Sequence, residues 1–154
     1  MNMKNCILLF PCLLIINCNS QQKIGVVAKN NAESQNVIEY FLGNWKFVEK
    51  RYIDGDEKKI YPLQECMKKY IWQFQKENQQ LFLTKNYFTG KNCSVKSSSG
   101  KITISIQGSS IFYTEADLKR KENFTKISKN SFSFNYRDIL NGKVRQIEDI
   151  YERQ

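Results

Sequence analysis

Histidine is missing from this chain of 154 residues. Its absence excludes a Ser-His-Asp triad, a Cys-His pair and any imidazole-ligated metal site. A glycine-rich phosphate loop and a cysteine cluster with zinc-ligand spacing are lacking too. Nothing after Ile16 approaches the length of a membrane-spanning helix. There is no βαβ spacing and no internal repeat. Two pairs of neighbouring carboxylates remain, Asp54/Asp56 and Glu148/Asp149. The first falls in an expected turn, and adjacent residues on a strand point to opposite faces, so neither pair suits acid–base catalysis. The expectation is a protein without enzymatic activity, metal or cofactor.

The amino terminus is more informative. Lys4 precedes an uncharged run rich in Ile and Leu from Cys6 to Ile16, and Asn17-Cys18 opens a polar stretch. A short apolar run behind a lysine and ahead of small polar residues is the layout of a secretory signal. Ile15-Ile16-Asn17-Cys18 resembles a bacterial lipobox, which implies cleavage after residue 17 and a diacylglycerol on Cys18. An ordinary signal cut after Ala28 is the alternative. Asn19 leans towards the outer membrane, and no acidic cluster follows Cys18, which favours the periplasmic face. Residues 1–17 are thus read as a lipoprotein signal peptide, 18–33 as a flexible tether and 34–154 as one domain.

The formal charge is +9. Loss of residues 1–17 removes one lysine and no acid, so the mature chain stays basic. Its lysines are scattered, the pattern of a solvated surface that maintains solubility. Outside the cytoplasm the anionic neighbours are lipid headgroups and acidic glycans; nucleic acid is not expected. Beyond Cys18 only Cys66 and Cys93 survive. An even pair in an oxidising compartment predicts one disulfide, with two buried free thiols as the alternative.

Along the domain, Ser34 starts a short helix in which Val37, Ile38 and Phe41 share a face. The pattern then changes to period two. Trp45 and Phe47 alternate with Lys46, and Asp54-Gly55 signals a hairpin. Tyr70, Trp72 and Phe74 share one parity, and Leu81 to Lys85 reads as a strand after a turn at Glu77-Asn78. Ile102, Ile104 and Ile106 alternate with polar residues, as do Phe132, Phe134 and Tyr136. Asn141-Gly142 favours a type I′ turn before a last strand from Lys143 to Arg153. Thr114-Glu115-Ala116-Asp117 approximates a capping box, so Leu118-Lys119-Arg120-Lys121 is expected to form one or two helical turns. Eight or nine short strands joined by tight turns predict an all-β domain, a single up-and-down antiparallel β-barrel of about 8 strands. A two-sheet sandwich is the alternative, disfavoured because closure removes exposed edges.

These residues resemble the small lipocalin-like lipoproteins of the Bacteroidetes type. Phe41-Leu42-Gly43-Asn44-Trp45 is similar to the Gly-x-Trp entry to the first lipocalin strand. Cys66-x-x-x-Tyr70-x-Trp72-x-Phe74, with Asn86 to Cys93, is similar to that group's cysteine-strand-hairpin-cysteine unit. Tyr151-Glu152-Arg153 looks like the terminal strand whose arginine covers the tryptophan at the closed end. The resemblance spans roughly residues 38–154 and implies a lipocalin-like barrel closed by Trp45 and Arg153. A guanidinium over an indole contributes roughly 0.5–2 kcal/mol.

Function is expected inside the barrel, on the parity set Tyr70, Trp72, Phe74, Ile102, Ile104, Ile106, Phe132, Phe134 and Tyr136. Eight-stranded barrels either fill with side chains or hold one small ligand. A cavity here is expected to be apolar with a few phenol hydroxyls, suited to a small hydrophobic ligand. The expectation is a monomeric envelope lipoprotein that binds such a ligand, or a partner at its rim. Its rival is a solid-core interaction or inhibitor protein that uses loops and basic surface to bind an envelope protein or anionic glycan. A cytosolic barrel stacking single-stranded nucleic acid on Tyr70, Trp72 and Phe74 is the remote third.

Overall fold

The computed structural model describes residues 35–154. The signal peptide, Cys18, the 18–33 tether and the Ser34 helix start lie outside the described residues. Among the described residues no helix is long and apolar enough to cross a membrane.

A short helix, α1 (35–41), leads into β1 (Gly43–Asp54), β2 (Glu57–Tyr61), β3 (Ile71–Glu77), β4 (Gln80–Thr89) and β5 (Val95–Ser98). Then come β6 (Ile102–Gln107), β7 (Ser110–Glu115), β8 (Leu118–Ser128), β9 (Ser131–Leu140) and β10 (Lys143–Arg153). Every pairing is antiparallel. Neighbours run β1-β3-β4-β6-β7-β8-β9-β10, and β10 pairs back to β1, closing eight strands into a barrel. β2 and β5 extend the wall at one end, on the far halves of β1 and β4. Closure pairs every strand of the ring on both sides over at least part of its length, which is why the sandwich is not needed to hide edges.

The turns follow from local chemistry. Asn78-Gln79 and Asn141-Gly142 have positive φ at both positions, as type I′ hairpins require. The segment expected to be helical is not helical. Ala116 (φ 48°) and Asp117 (φ 64°) form the turn between β7 and β8, and Leu118 to Lys121 continue as strand. Without glycine in that turn and with charges along β8, the hairpin signal was hidden behind a helix-cap pattern.

At one end α1 closes the barrel. Phe41 is fully buried against Phe74, Phe124 and Phe132, with centroids 4.8–5.2 Å apart. Trp45 is also fully buried; its indole N–H donates to the Phe41 carbonyl at 2.6 Å. Arg153, paired with Trp45 in register, lays its guanidinium 4.3 Å from the indole ring. Its Nη atoms donate to the carbonyls of Leu42 (2.6 Å) and Tyr40 (2.5 Å), groups that the end of α1 leaves without helical partners. Gly43 permits this. Its φ of 114° suits glycine, and a Cβ there would lie 3.2 Å from Arg153 Nη1.

At the other end, Cys66 and Cys93 are bonded, with Cα atoms 5.1 Å apart. The bridge ties the β2–β3 connection to the turn after β4.

Candidate functional site

The closed end is packed; the opposite end holds a cavity of about 530 Å³. Two shallower recesses, about 500 Å³ at the β9–β10 hairpin and about 610 Å³ across β6 and β7, are more open to solvent.

Trp72, Phe134 and Tyr151 floor the cavity. Trp72 lies 4.9 Å from Phe134 and 5.2 Å from Tyr151 between ring centroids. Beneath them Phe132 stacks on Tyr151 at 5.2 Å, joining the floor to the closed-end core. Strand alternation produces this layering, because every second residue of β3, β9 and β10 faces the axis.

The walls are polar. On one side Lys85 Nζ donates to Tyr113 Oη (2.8 Å) and Glu115 Oε2 (2.7 Å), and Tyr113 Oη donates to Glu122 Oε1 (3.0 Å). The Lys85 ammonium also lies 4.7 Å from the Trp72 ring centroid and 4.4 Å from that of Tyr113. Only 5% of its side chain is exposed. Burial lowers the Lys85 pKa, against the pull of Glu115. On the other side Lys50 Nζ donates to Tyr136 Oη (2.7 Å), which donates to Asp149 Oδ2 (2.9 Å). Lys50 Nζ also lies 2.8 Å from Asp149 Oδ1, an ionic contact without hydrogen-bond alignment. Burial raises the Asp149 carboxyl above its ordinary range despite Lys50. Burial and nearby carboxylates push the Tyr113 and Tyr136 phenols far up. Each buried ammonium has a carboxylate partner, and the Lys85 cluster holds a second carboxylate, Glu122, in excess.

The wall is interrupted between β8 and β9. Their pairing ends at Asn123↔Asn135, although β8 begins at Leu118 and β9 continues to Leu140. The freed edges, Lys119 to Glu122 and Tyr136 to Asp138, border the cavity as a lateral slot. Continuing the register would set Lys121 opposite Arg137, a like-charge pair, and Arg120 opposite Asp138, an opposite-charge pair, so cross-strand charge does not by itself account for the end of the ladder.

The residues expected to line a ligand are placed as follows. Trp72, Phe134 and Tyr136 border the cavity. Phe74, Ile104 and Phe132 are buried in the core, with Ile102 and Ile106 packed against it. Tyr70 lies just before β3, edge-to-face with Tyr87 at 5.1 Å. The cavity differs from the apolar chamber that periodicity suggested, because apolar parity overlooks charged residues of the same phase. Lys85 continues the inward parity of Leu81 and Leu83, a signal present in the sequence. Lys50 was hidden by a register shift between Phe47 and Glu49, which re-phases the rest of β1. Glu148 and Asp149 diverge: Asp149 joins the Lys50 cluster inside, while Glu148 meets Lys58 at 2.8 Å.

Neither a family model nor any curated protein matches this chain.

Proposed function

We propose that this protein is a non-catalytic binder that holds one small molecule in the open end of its barrel, on the floor formed by Trp72, Phe134 and Tyr151. The observation that carries this reading is the cavity itself. About 530 Å³ lies within the 300–1,000 Å³ typical of small-molecule sites, as do the two more open recesses, but this one alone is floored by stacked aromatic rings; its walls are more charged than is usual for such sites. The proposal includes export and anchoring through a lipid on Cys18 in the cell envelope, on the basis of the signal-like start of the sequence. It also includes membership of the lipocalin-like lipoproteins, supported by the contact of Gly43 and Trp45 with Arg153. Native mass spectrometry of chain purified from its own membranes tests the binding role: a co-purifying small molecule supports it. If the barrel is empty and no lipid or aromatic extract raises its melting temperature, the reading fails. Cys18→Ala is expected to move the chain from the membrane to the soluble fraction.

One observation favours a second reading, a partner protein at the rim. Ile139 and Val144, paired across the β9–β10 hairpin, are 69% and 61% exposed, and Leu118 at the β7–β8 tip is 56% exposed. Capture of an envelope protein by an empty barrel, lost on Ile139→Ser/Val144→Ser, would support it.

A further inference from the structure

The deep cations of the cavity end are paired with carboxylates; the four cations of the slot are not, and they outnumber its two carboxylates, Glu122 and Asp138. Lys50 faces Asp149 at 2.8 Å, and Lys85 faces Glu115 at 2.7 Å. Lys119, Arg120, Lys121 and Arg137 make no ion pair among the described residues. All four border the cavity, on both sides of the β8–β9 slot.

Arg120 sits opposite Tyr113 on the inward phase of β8, above the Lys85 cluster. In the register of β8 and β9, Lys121 lies across the opening from Arg137, and Arg120 across from Asp138. The unpaired strand edges add backbone N–H donors along the same opening. An anionic group between the edges would satisfy these donors and neutralise the facing cations. A neutral guest could accept hydrogen bonds there but would leave the cations unneutralised.

We propose that the slot receives the anionic head of an amphipathic ligand, a carboxylate, sulfonate or phosphate attached to an apolar or aromatic body that rests on Trp72, Phe134 and Tyr151. This deepens the binding role proposed above and rests on it. The head enters laterally between β8 and β9, with Arg120 on the cavity side and Lys121 and Arg137 flanking the opening. Charge-assisted, bidentate recognition is what guanidinium groups provide for such heads.

Two fluorescent probes with the same aryl body separate the two proposals in the full-length chain: 1-anilinonaphthalene-8-sulfonate, which is anionic, and N-phenyl-1-naphthylamine, which is neutral. The sulfonate is expected to bind at least about tenfold more tightly, equivalent to about 1.4 kcal/mol, with affinity falling as salt is added. Arg120→Gln/Arg137→Gln should remove that advantage and leave the neutral probe's affinity unchanged. Because both residues are at the opening rather than in the core, an unchanged melting temperature serves as the folding control. Equal affinity of the two probes for the parent overturns the anionic slot while leaving the cavity reading intact. Binding of neither overturns both. A sulfonate preference that persists in the double variant overturns the placement of the head.

Discussion

The two ends of this barrel are built from the same alternation of inward residues but closed in opposite ways. At the α1 end, Phe41, Trp45 and Phe132 are fully buried, and the polar atoms present are spent on the backbone: the Trp45 indole on Phe41 and the Arg153 guanidinium on Tyr40 and Leu42. At the far end, inward positions carry Lys50, Lys85, Tyr113, Tyr136 and Asp149 around open volume. A filled end supplies stability through apolar burial, at roughly 25 cal/mol per Å². An end lined with hydrogen-bonded polar groups and unpaired cations supplies little stability but holds its polar side chains in defined positions. The difference between them sets an apolar, filled end against a polar, open one along one axis.

Breaking the closed end should have the largest effect. Trp45→Ala removes a fully buried indole and is expected to cost about 3–5 kcal/mol, read as a fall in the denaturation midpoint. Ligand affinity of the folded fraction should stay unchanged. Comparable melting temperatures for variant and parent would contradict the structural role of Trp45.

Next comes the disulfide at the open end. Cys66 and Cys93 lie 27 positions apart, so the bridge limits the unfolded chain and its reduction should cost about 3–4 kcal/mol. Because it ties the loops of the cavity end, reduction should also weaken binding, which Trp45→Ala should not. Melting and titration with and without dithiothreitol separate these outcomes.

A smaller, pH-dependent effect should arise from the interior phenols. Tyr87 is pushed up to about 12 by burial, and Tyr113, Tyr136 and Tyr151 are also raised, chiefly by burial. Between the ordinary tyrosine pKa near 10 and these raised values, the folded state holds more phenolic protons than the unfolded one. Stability from these groups is therefore complete below about pH 10 and falls as pH rises. Phenolate absorbance should show a late step that coincides with unfolding. Early, independent ionisation of all eight tyrosines of the chain would contradict their burial.

Much of the closed end was legible in the sequence, because its determinants are local and apolar. Gly43, Trp45 and the Phe132-Phe134 alternation mark its strands; of the open end, the Asn141-Gly142 turn and the bridge implied by the cysteine count were legible. The open end was less legible for physical reasons. β5 is a stretch of Val, Lys and Ser with all four residues exposed, so no burial pattern betrays it. β8 begins with four exposed residues, three of them basic, and its turn uses Ala116-Asp117. Lys50 reaches the interior only because β1 changes phase after Phe47. The β8–β9 ladder stops at Asn123↔Asn135, and no apolar or turn pattern within the two strands marks that point.

The claim that binding belongs to the open end is tested most directly by hydrogen–deuterium exchange with and without 1-anilinonaphthalene-8-sulfonate. The account predicts added protection at Leu118–Glu122 and Tyr136–Leu140, whose facing edges are unpaired, and no change over residues 35–47. Protection confined to the closed end, or spread evenly over the barrel, would contradict it.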